Sequence, residues 1–336
     1  MISNLLIYSL ISFLILFSIA KISYKLNFVD IPNKRSMHLK PTAYTGGIAL
    51  CLTYVFAIYL FDFSSEKLNL ILSIAFLVGI VGFIDDKYNL NVGGKLSLQI
   101  IPIIYLVVLE NLQLNNIGDY NYFQTELNSF SIPFTLLAIL FLINSFNYFD
   151  GLDGLLGSTT ISVMTILIFL IPNEKIKFFL IINLLPIILF LCFNFSIFKL
   201  PKLFLGDSGS LLLGFIISFI LIFLAIEKIV HPILLAFSIS IFVYEFISIN
   251  IIRFKKKKDL FVAGQDHLHH QLFKLTNSIF QTNLFINLVN IILFIIGYMN
   301  FSLISPMASL ISFIVLFIIY FILRNRYQKT KIKIRI

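Results

Sequence analysis

Asn144, Asn147, Asp150 and Asp153 recur at every third position, with Gly151 and Gly154 set among the acidic members. Residues three apart share a helix face, and the glycines break such a helix and let backbone approach a ligand closely. Oxygen donors of this kind suit a hard cation such as Mg²⁺, which also binds its substrate's phosphates. The plainer reading is a capped helix junction with the aspartates in its turns. Asp85-Asp86 closes an apolar stretch. Adjacent helical positions point about 100° apart, so the two carboxylates do not form one symmetric dyad. One can face a pocket while the other takes a cap, a lysine or a metal, or both are solvated just beyond the stretch. Gly206-Asp207-Ser208-Gly209-Ser210 opens another apolar stretch. Ser208 or Ser210 fits a helix N-cap. The free N–H groups of such an N-terminus also attract phosphate, and Asp207 could carry the metal that bridges it.

Cations and imidazoles accompany these carboxylates. His267-Leu-His269-His270 follows the basic run Lys255 to Lys258. Zinc would want three or four ligands at suitable spacing, and neither a cysteine nor a His-Glu-x-x-His pattern supports it. A hydrogen-bonding or phosphate-facing role, with partial protonation near neutral pH, fits a basic loop better; a solvated loop is the bland alternative. Arg35, His38 and Lys95 add further cations, and Gly46-Gly47 adds a glycine pair. Several carboxylates, many cations and glycine turns, with no Ser-His-Asp triad or reactive thiol, suit a Mg²⁺-dependent reaction on an anionic phosphate ester.

The elements that must position these residues are membrane helices. Of 336 residues, 59% are apolar, only 12% are charged and 38 are Phe. That leaves too little polar surface for a soluble globule of this size. The apolar residues come in blocks approaching the roughly 20 needed to cross hydrocarbon as a helix. Hydropathy places spans near 2–20, 46–61, 68–84, 96–109, 132–146, 155–171, 178–198, 210–226, 232–252, 284–300 and 301–323. The expected fold is therefore all-α and polytopic, with about eleven transmembrane helices (ten if one short block does not cross), as one domain over 1–336 without internal repeats. The fourth and fifth blocks are the shortest, and a tight turn near 297–302 is expected between the last two. The first block lacks a cleavage site and reads as a retained span. Cys51 and Cys192 lie inside apolar blocks and read as neither metal ligands nor disulfide partners.

Lys and Arg in short loops mark the cytoplasmic side. With the N-terminus outside, 21 of the 25 Lys and Arg fall in inside loops. The net charge of +9 therefore points to membrane lipids and not to nucleic acid, and the Lys255–Lys258 run reads as a topology determinant beside anionic headgroups. The same assignment puts every unusual polar cluster on the inside face, as a single cytoplasmic active site requires.

Taken in order, Asp30-x-Pro-Asn-x-Arg35 with His38, Gly46-Gly47, Asp85-Asp86, Asn147-x-x-Asp-Gly-Leu-Asp-Gly154, Gly206-Asp-Ser-Gly-Ser210 and His267-Leu-His-His270 resemble the polyprenyl-phosphate N-acetylhexosamine-1-phosphate transferases. The His-Leu-His-His form is similar to the N-acetylglucosamine branch. The resemblance implies an inner-membrane enzyme in which a polyprenyl phosphate attacks the β-phosphorus of a UDP-N-acetylhexosamine and releases UMP, beginning a surface glycan. It implies Mg²⁺, with Mn²⁺ as a substitute, at Asp207 with Asn147 nearby, and Asp85 orienting or deprotonating the lipid phosphate with Asp86 in support. Asp150 and Asp153 would line the nucleotide site. Lys95, Arg35, His38, His267, His269 and His270 would contact phosphates or sugar. A homodimer is compatible with the sequence. The chain departs from the family pattern at three places: Ala43-Tyr44 precede Gly46 where Pro and a basic residue are usual, Glu245 replaces an Asp, and Gly264-Gln265 replace Asp-Arg. A secondary transporter with a cytoplasm-facing anion site is the competing class; it would place its ionisable groups near the bilayer midplane.

Overall fold

An apolar run in hydrocarbon must satisfy its own backbone, and an α-helix does so within one segment. A computed structural model of the protein describes residues 2–32, 39–61, 63, 65–258, 264 and 266–333. The described residues form α1 (Ile2–Lys25), α2 (Gly46–Leu60), α3 (Glu66–Tyr88), α4 (Val92–Ile104), α5 (Ser131–Phe149), α6 (Leu155–Leu170), α7 (Glu174–Asn194), α8 (Gly206–Ile226), α9 (Pro232–Ser238), α10 (Ser240–Lys255), α11 (Leu268–Thr276), α12 (Ile279–Leu303) and α13 (Pro306–Lys333). Two small antiparallel pairs complete the fold: β1 (Val29–Asp30) with β2 (Thr42–Ala43), and β3 (Asn116–Asp119) with β4 (Gln124–Glu126).

Among the described residues, eight helical segments are long and apolar enough to cross a membrane, and the pair α9–α10, bent by 73°, makes a ninth if counted as one span. The protein is thus a nearly all-α polytopic membrane protein. The expected fourth and fifth spans are among the eight. The segments expected at 46–61 and 155–171 are helical but only 15 and 16 residues long.

The bundle is organised around α8, in which 17 of 21 residues are buried. A helix apolar on all sides belongs inside, and α8 is contacted by α2, α3 and α5. Small residues let the backbones meet. A methyl group on Gly47 would collide with the Gly209 backbone, and one on Gly82 with the Asp207 backbone. The Gly46-Gly47 pair thus joins α2 to the start of α8. Its amides donate to the Phe204 and Leu205 carbonyls, both at 2.9 Å, while the Phe204 amide donates to the Ala43 carbonyl at 2.7 Å. Val29 pairs with Ala43 and Asp30 with Thr42, so the early loop and the loop before α8 are stitched into one rim.

Three boundaries differ from the expectation. The turn between the last two long helices falls at 304–305, not near Gly297. Gly297 lies inside α12 and packs against the Phe237 ring, which occupies the space a side chain would need. Helix α8 begins at Gly206 instead of Ser210, since its first turn is capped from another helix. The basic loop after α10 contains an additional short helix, α11. At the α9–α10 bend, the Asn290 amide oxygen accepts from the Ile241 N–H at 3.3 Å and its nitrogen donates to the Ser238 carbonyl at 3.1 Å. That side chain supplies what a broken helix loses.

Candidate active site

The end of α3, the start of α4, the end of α5 and the start of α8 meet at one end of the bundle. Asn89, in a left-handed conformation (φ 51°), terminates α3, and the Leu90 amide donates to Asp85 Oδ1 at 2.8 Å. Asn91 then caps α4 by accepting from the Gly94 amide at 2.7 Å. This turn returns Lys95 toward α3. Its Nζ lies 2.6 Å from Asp85 Oδ2 and 2.5 Å from Asp207 Oδ2, bridging carboxylates from two helices. Asn147, on the last turns of α5, donates from Nδ2 to Asp207 Oδ1 and to Ser210 Oγ, both at 2.9 Å. Asp207 is thereby held on both oxygens.

Asp86 has a different task from Asp85. Its Oδ1 accepts from the Asp207 N–H at 2.9 Å and its Oδ2 from the Ser208 N–H at 3.1 Å. It therefore caps α8, and no side chain of α8's own N-cap residue does so. This corrects the expectation that Ser208 or Ser210 is the cap. Gly206 adopts a φ of +73°, the left-handed region that glycine tolerates. Any side chain there would run into the Tyr44 carbonyl and the Asp86 carboxylate.

The every-third-residue set divides. Asn144 turns back on α5, donating to the Leu140 carbonyl at 2.7 Å, and only Asn147 reaches Asp207. Asp150 follows the helix end. Burial and the neighbouring charges of Asp207, Asp86 and Asp153 push its carboxyl well above the usual carboxylate range. Asp153 pairs with Lys202 Nζ at 2.6 Å, and its carbonyl accepts from Asn283 Nδ2 at 2.8 Å. A cavity of about 630 Å³ opens over this group, with Asp85, Asp86, Asp150, Asp153, Asp207 and His270 in its wall. Tyr44, one of the departures from the family pattern, also lines it.

The three histidines pack together beside the cavity. The His267 and His269 rings are parallel with centroids 5.6 Å apart, and those of His269 and His270 are 4.3 Å apart. His269 lies against Gly151, where a side chain would clash with its ring, and His267 meets Tyr148 edge-on at 4.9 Å. Burial lowers all three imidazole pKa values, His270 to about 4. They are therefore neutral at pH 7, which corrects the partial protonation expected of a basic loop. Arg253 forms a fork with Asp266, Nη2 to Oδ1 at 2.6 Å and Nε to Oδ2 at 3.1 Å, and holds that carboxyl down at about 2. Glu245, Tyr320, Gln271 and Arg324 complete the support; sequence reasoning passed over the last three, and the only signal for any of them was the family departure at Glu245. Arg35 and His38 lie outside the described residues.

Among the described residues, no three His, Cys, Asp or Glu side chains gather as a ready metal cluster. The donor chemistry nevertheless fits Mg²⁺. The cavity wall is rich in carboxylate oxygen, and Asp150 lies among the charges of three other aspartates. Mg²⁺ is commonly held by one or two carboxylates plus water and substrate phosphate, so a preformed cage is not required.

Comparison with known proteins identifies the family. The model for "Glycosyl transferase family 4" matches residues 68–225, from α3 to α8. A Bacillus subtilis (strain 168) protein named "Probable undecaprenyl-phosphate N-acetylglucosaminyl 1-phosphate transferase" is 30% identical over 276 residues, 79% of this chain and 75% of its own. The chain belongs to glycosyl transferase family 4. Within that family it is similar to the Yersinia pestis undecaprenyl-phosphate alpha-N-acetylglucosaminyl 1-phosphate transferase, at 28% identity over 93% of this chain and 88% of the relative. It is also similar to the Escherichia coli (strain K12) protein of the same name, at 26% over 91% and 86%. The matched family region contains Asp85, Asp86, Lys95, Asn147, Asp150, Asp153 and Asp207.

Proposed function

We propose that the protein transfers an N-acetylhexosamine-1-phosphate, most simply GlcNAc-1-phosphate, from a UDP-sugar to a polyprenyl phosphate such as undecaprenyl phosphate. An acceptor phosphate oxygen bonds to the β-phosphorus, the phosphoanhydride bond breaks, and UMP leaves. The observation that carries this reading is the Asp85–Lys95–Asp207–Asn147 constellation, whose two aspartates line an acidic cavity. Both substrates are anions, and a cavity dominated by carboxylates repels a bare diphosphate. The same cavity suits a diphosphate that arrives with Mg²⁺, or Mn²⁺ in its place.

Asp207, oriented by Asn147, would hold that ion, which when bound neutralises phosphate charge and polarises the phosphoryl group. Lys95 supplies a fixed cation between the two reacting helices. Asp85 orients the acceptor phosphate. A strong base is unnecessary, because the second pKa of a phosphate monoester is about 6, so positioning is the larger part of its work. Asp150 and Asp153 face the nucleotide, and the neutral histidines offer hydrogen bonds to sugar or phosphate. The ionisable residues sit at helix ends: Asp85 in the last turn of α3, Lys95 in the first turns of α4, Asp207 at the start of α8. That placement favours chemistry at a membrane surface over transport through the midplane. The distribution of Lys and Arg supports a cytoplasmic position for that surface, and the reading puts the enzyme in the inner membrane.

The test supplies membranes containing the protein with radiolabelled UDP-N-acetylhexosamines and polyprenyl phosphate, with and without Mg²⁺. Metal-dependent label in the lipid phase, lost in Asp207→Ala, is the expected result. Absence of transfer from every donor refutes the reading.

A further inference from the structure

The C-terminal helix α13 is largely peripheral, yet it carries a charged side chain that is only 4% exposed, Arg324. Burying a guanidinium is costly unless it is paired and fully hydrogen-bonded, so its partners show what it serves. Arg324 forms a fork with Glu245 of α10, Nε to Oε2 and Nη2 to Oε1, both at 2.9 Å. Its remaining bonds go to the histidine segment: Nη1 to Gln271 Oε1 at 2.6 Å and Nη2 to the Asp266 carbonyl at 2.5 Å. Glu245 is 1% exposed. It accepts from Tyr320 of α13 at 2.8 Å and, with Oε1, from the Leu268 N–H at 2.8 Å.

The Leu268 amide is the first N–H of α11, and the N-cap residue His267 provides no side-chain cap. Glu245 therefore caps α11 from a neighbouring helix, while Arg324 fixes both the residue before His267 and the residue after His270. Gln271 closes the loop by donating to the Asp266 carbonyl at 3.0 Å. No bond of this set reaches a histidine ring directly. The network sets the backbone from which the three rings project, and His270 of that backbone lies in the cavity wall. All of these residues lie beyond the stretch 68–225 matched by the family model.

We infer that Arg324, acting through Glu245 and the α11 backbone, is a positioning residue for the histidine segment, which makes the C-terminal helix part of the working site. The inference rests on the proposed transferase reading for its kinetic consequence, but its structural consequence stands apart from it. Loss of the fork frees the start of α11 and displaces His270 from the cavity wall. Lysine at 324 does not replace the fork, because an ammonium lacks the planar paired donors that match a carboxylate.

The test compares wild type with Arg324→Lys, Arg324→Met and the milder Tyr320→Phe in the full chain. Hydrogen–deuterium exchange reads the structure without any substrate. Exchange over 266–276 should rise strongly in both Arg324 variants and less in Tyr320→Phe, with α3 and α8 unchanged. Unchanged protection over 266–276 overturns the inference whether or not the wild type transfers sugar phosphate. Where the wild type is active, the KM for the UDP-sugar should rise about tenfold or more in Arg324→Lys, as misplaced contacts cost, while that for polyprenyl phosphate stays within about twofold. Equal losses for both substrates, or none in a variant with altered exchange, would likewise overturn it. Inactive wild type with the expected exchange pattern would instead count against the transferase reading alone.

Discussion

Replacing Lys95 by Met removes the cation that bridges Asp85 and Asp207. Both carboxylate oxygens are hydrogen-bonded to the same ammonium, at 2.6 and 2.5 Å, so they are no more than about 5 Å apart. Two unit charges at that separation repel by roughly 3 kcal/mol at an effective dielectric of about 20. Met matches the aliphatic stem of Lys, so most of the loss is electrostatic. Apoprotein in EDTA should therefore unfold more easily by about 3 kcal/mol, and transfer activity should fall by about two orders of magnitude if the same energy is lost from the transition state. The mechanism has a sharper signature in the double variant. Asp85→Asn in the Lys95→Met background removes one of the two repelling charges and should recover most of the lost stability, whereas Asp85→Asn alone should destabilise by orphaning half of the bridge. Thermal unfolding of the four proteins in one detergent gives the coupling energy directly. Additive effects, with no recovery in the double variant, would refute the assignment of Lys95 as an electrostatic bridge.

Two further outcomes follow from packing and titration. Gly47→Ala forces a methyl into the Gly209 backbone; overpacking costs about 1–3 kcal/mol, so it should lower thermal stability in detergent, whereas Gly93→Ala, near only the Asn91 side chain, should change it little. The buried histidines are held below their ordinary pKa, His270 at about 4, so the unfolded chain takes up protons near pH 6.5 that the folded chain refuses. Stability should be complete above pH 6.5 and decline as the pH falls from there toward 4, and His270→Gln should flatten that decline; a melting temperature independent of pH between 7 and 4.5 would contradict the burial argument.

The fold was legible in the sequence wherever the signal was local. Apolar blocks became helices, and the aspartates at their ends fell on one side because the segments alternate. Asp85 and Asp86 separated as their helical spacing requires, one to a lysine and the other to a cap. What stayed hidden depends on partners distant in sequence. Lys202 meets Asp153 across 49 positions, Asn147 meets Ser210 across 63, and Arg324 meets Glu245 across 79. Arg324 looked like one more cation of the tail, since charge near a helix end predicts orientation without distinguishing a solvated arginine from a buried one. The histidine loop misled for a related reason: its basic composition suggested protonated rings, but burial against Gly151 and Tyr148 decides their charge. Gly46-Gly47 offered a flexible turn in sequence and a helix-to-helix contact in space.

The start of α8 shows how two readings of one motif can both give way to a third. A Gly-Asp-Ser-Gly-Ser turn at a helix N-terminus suggests either a serine cap or a cradle for phosphate. The N–H groups that would serve the cradle are those of Asp207 and Ser208, and both already donate to Asp86. An internal carboxylate thus occupies the anion site that the helix N-terminus creates. The field of α8 is spent on holding Asp86, and through it on clamping α3 to α8 at the point where Asp85 and Asp207 share Lys95. Under the proposed reading, substrate phosphate is left to cations, since these two N–H groups are already taken. A cavity wall of carboxylates, with no lysine among its described lining residues, is the surface to be expected if the principal cation arrives with the substrate.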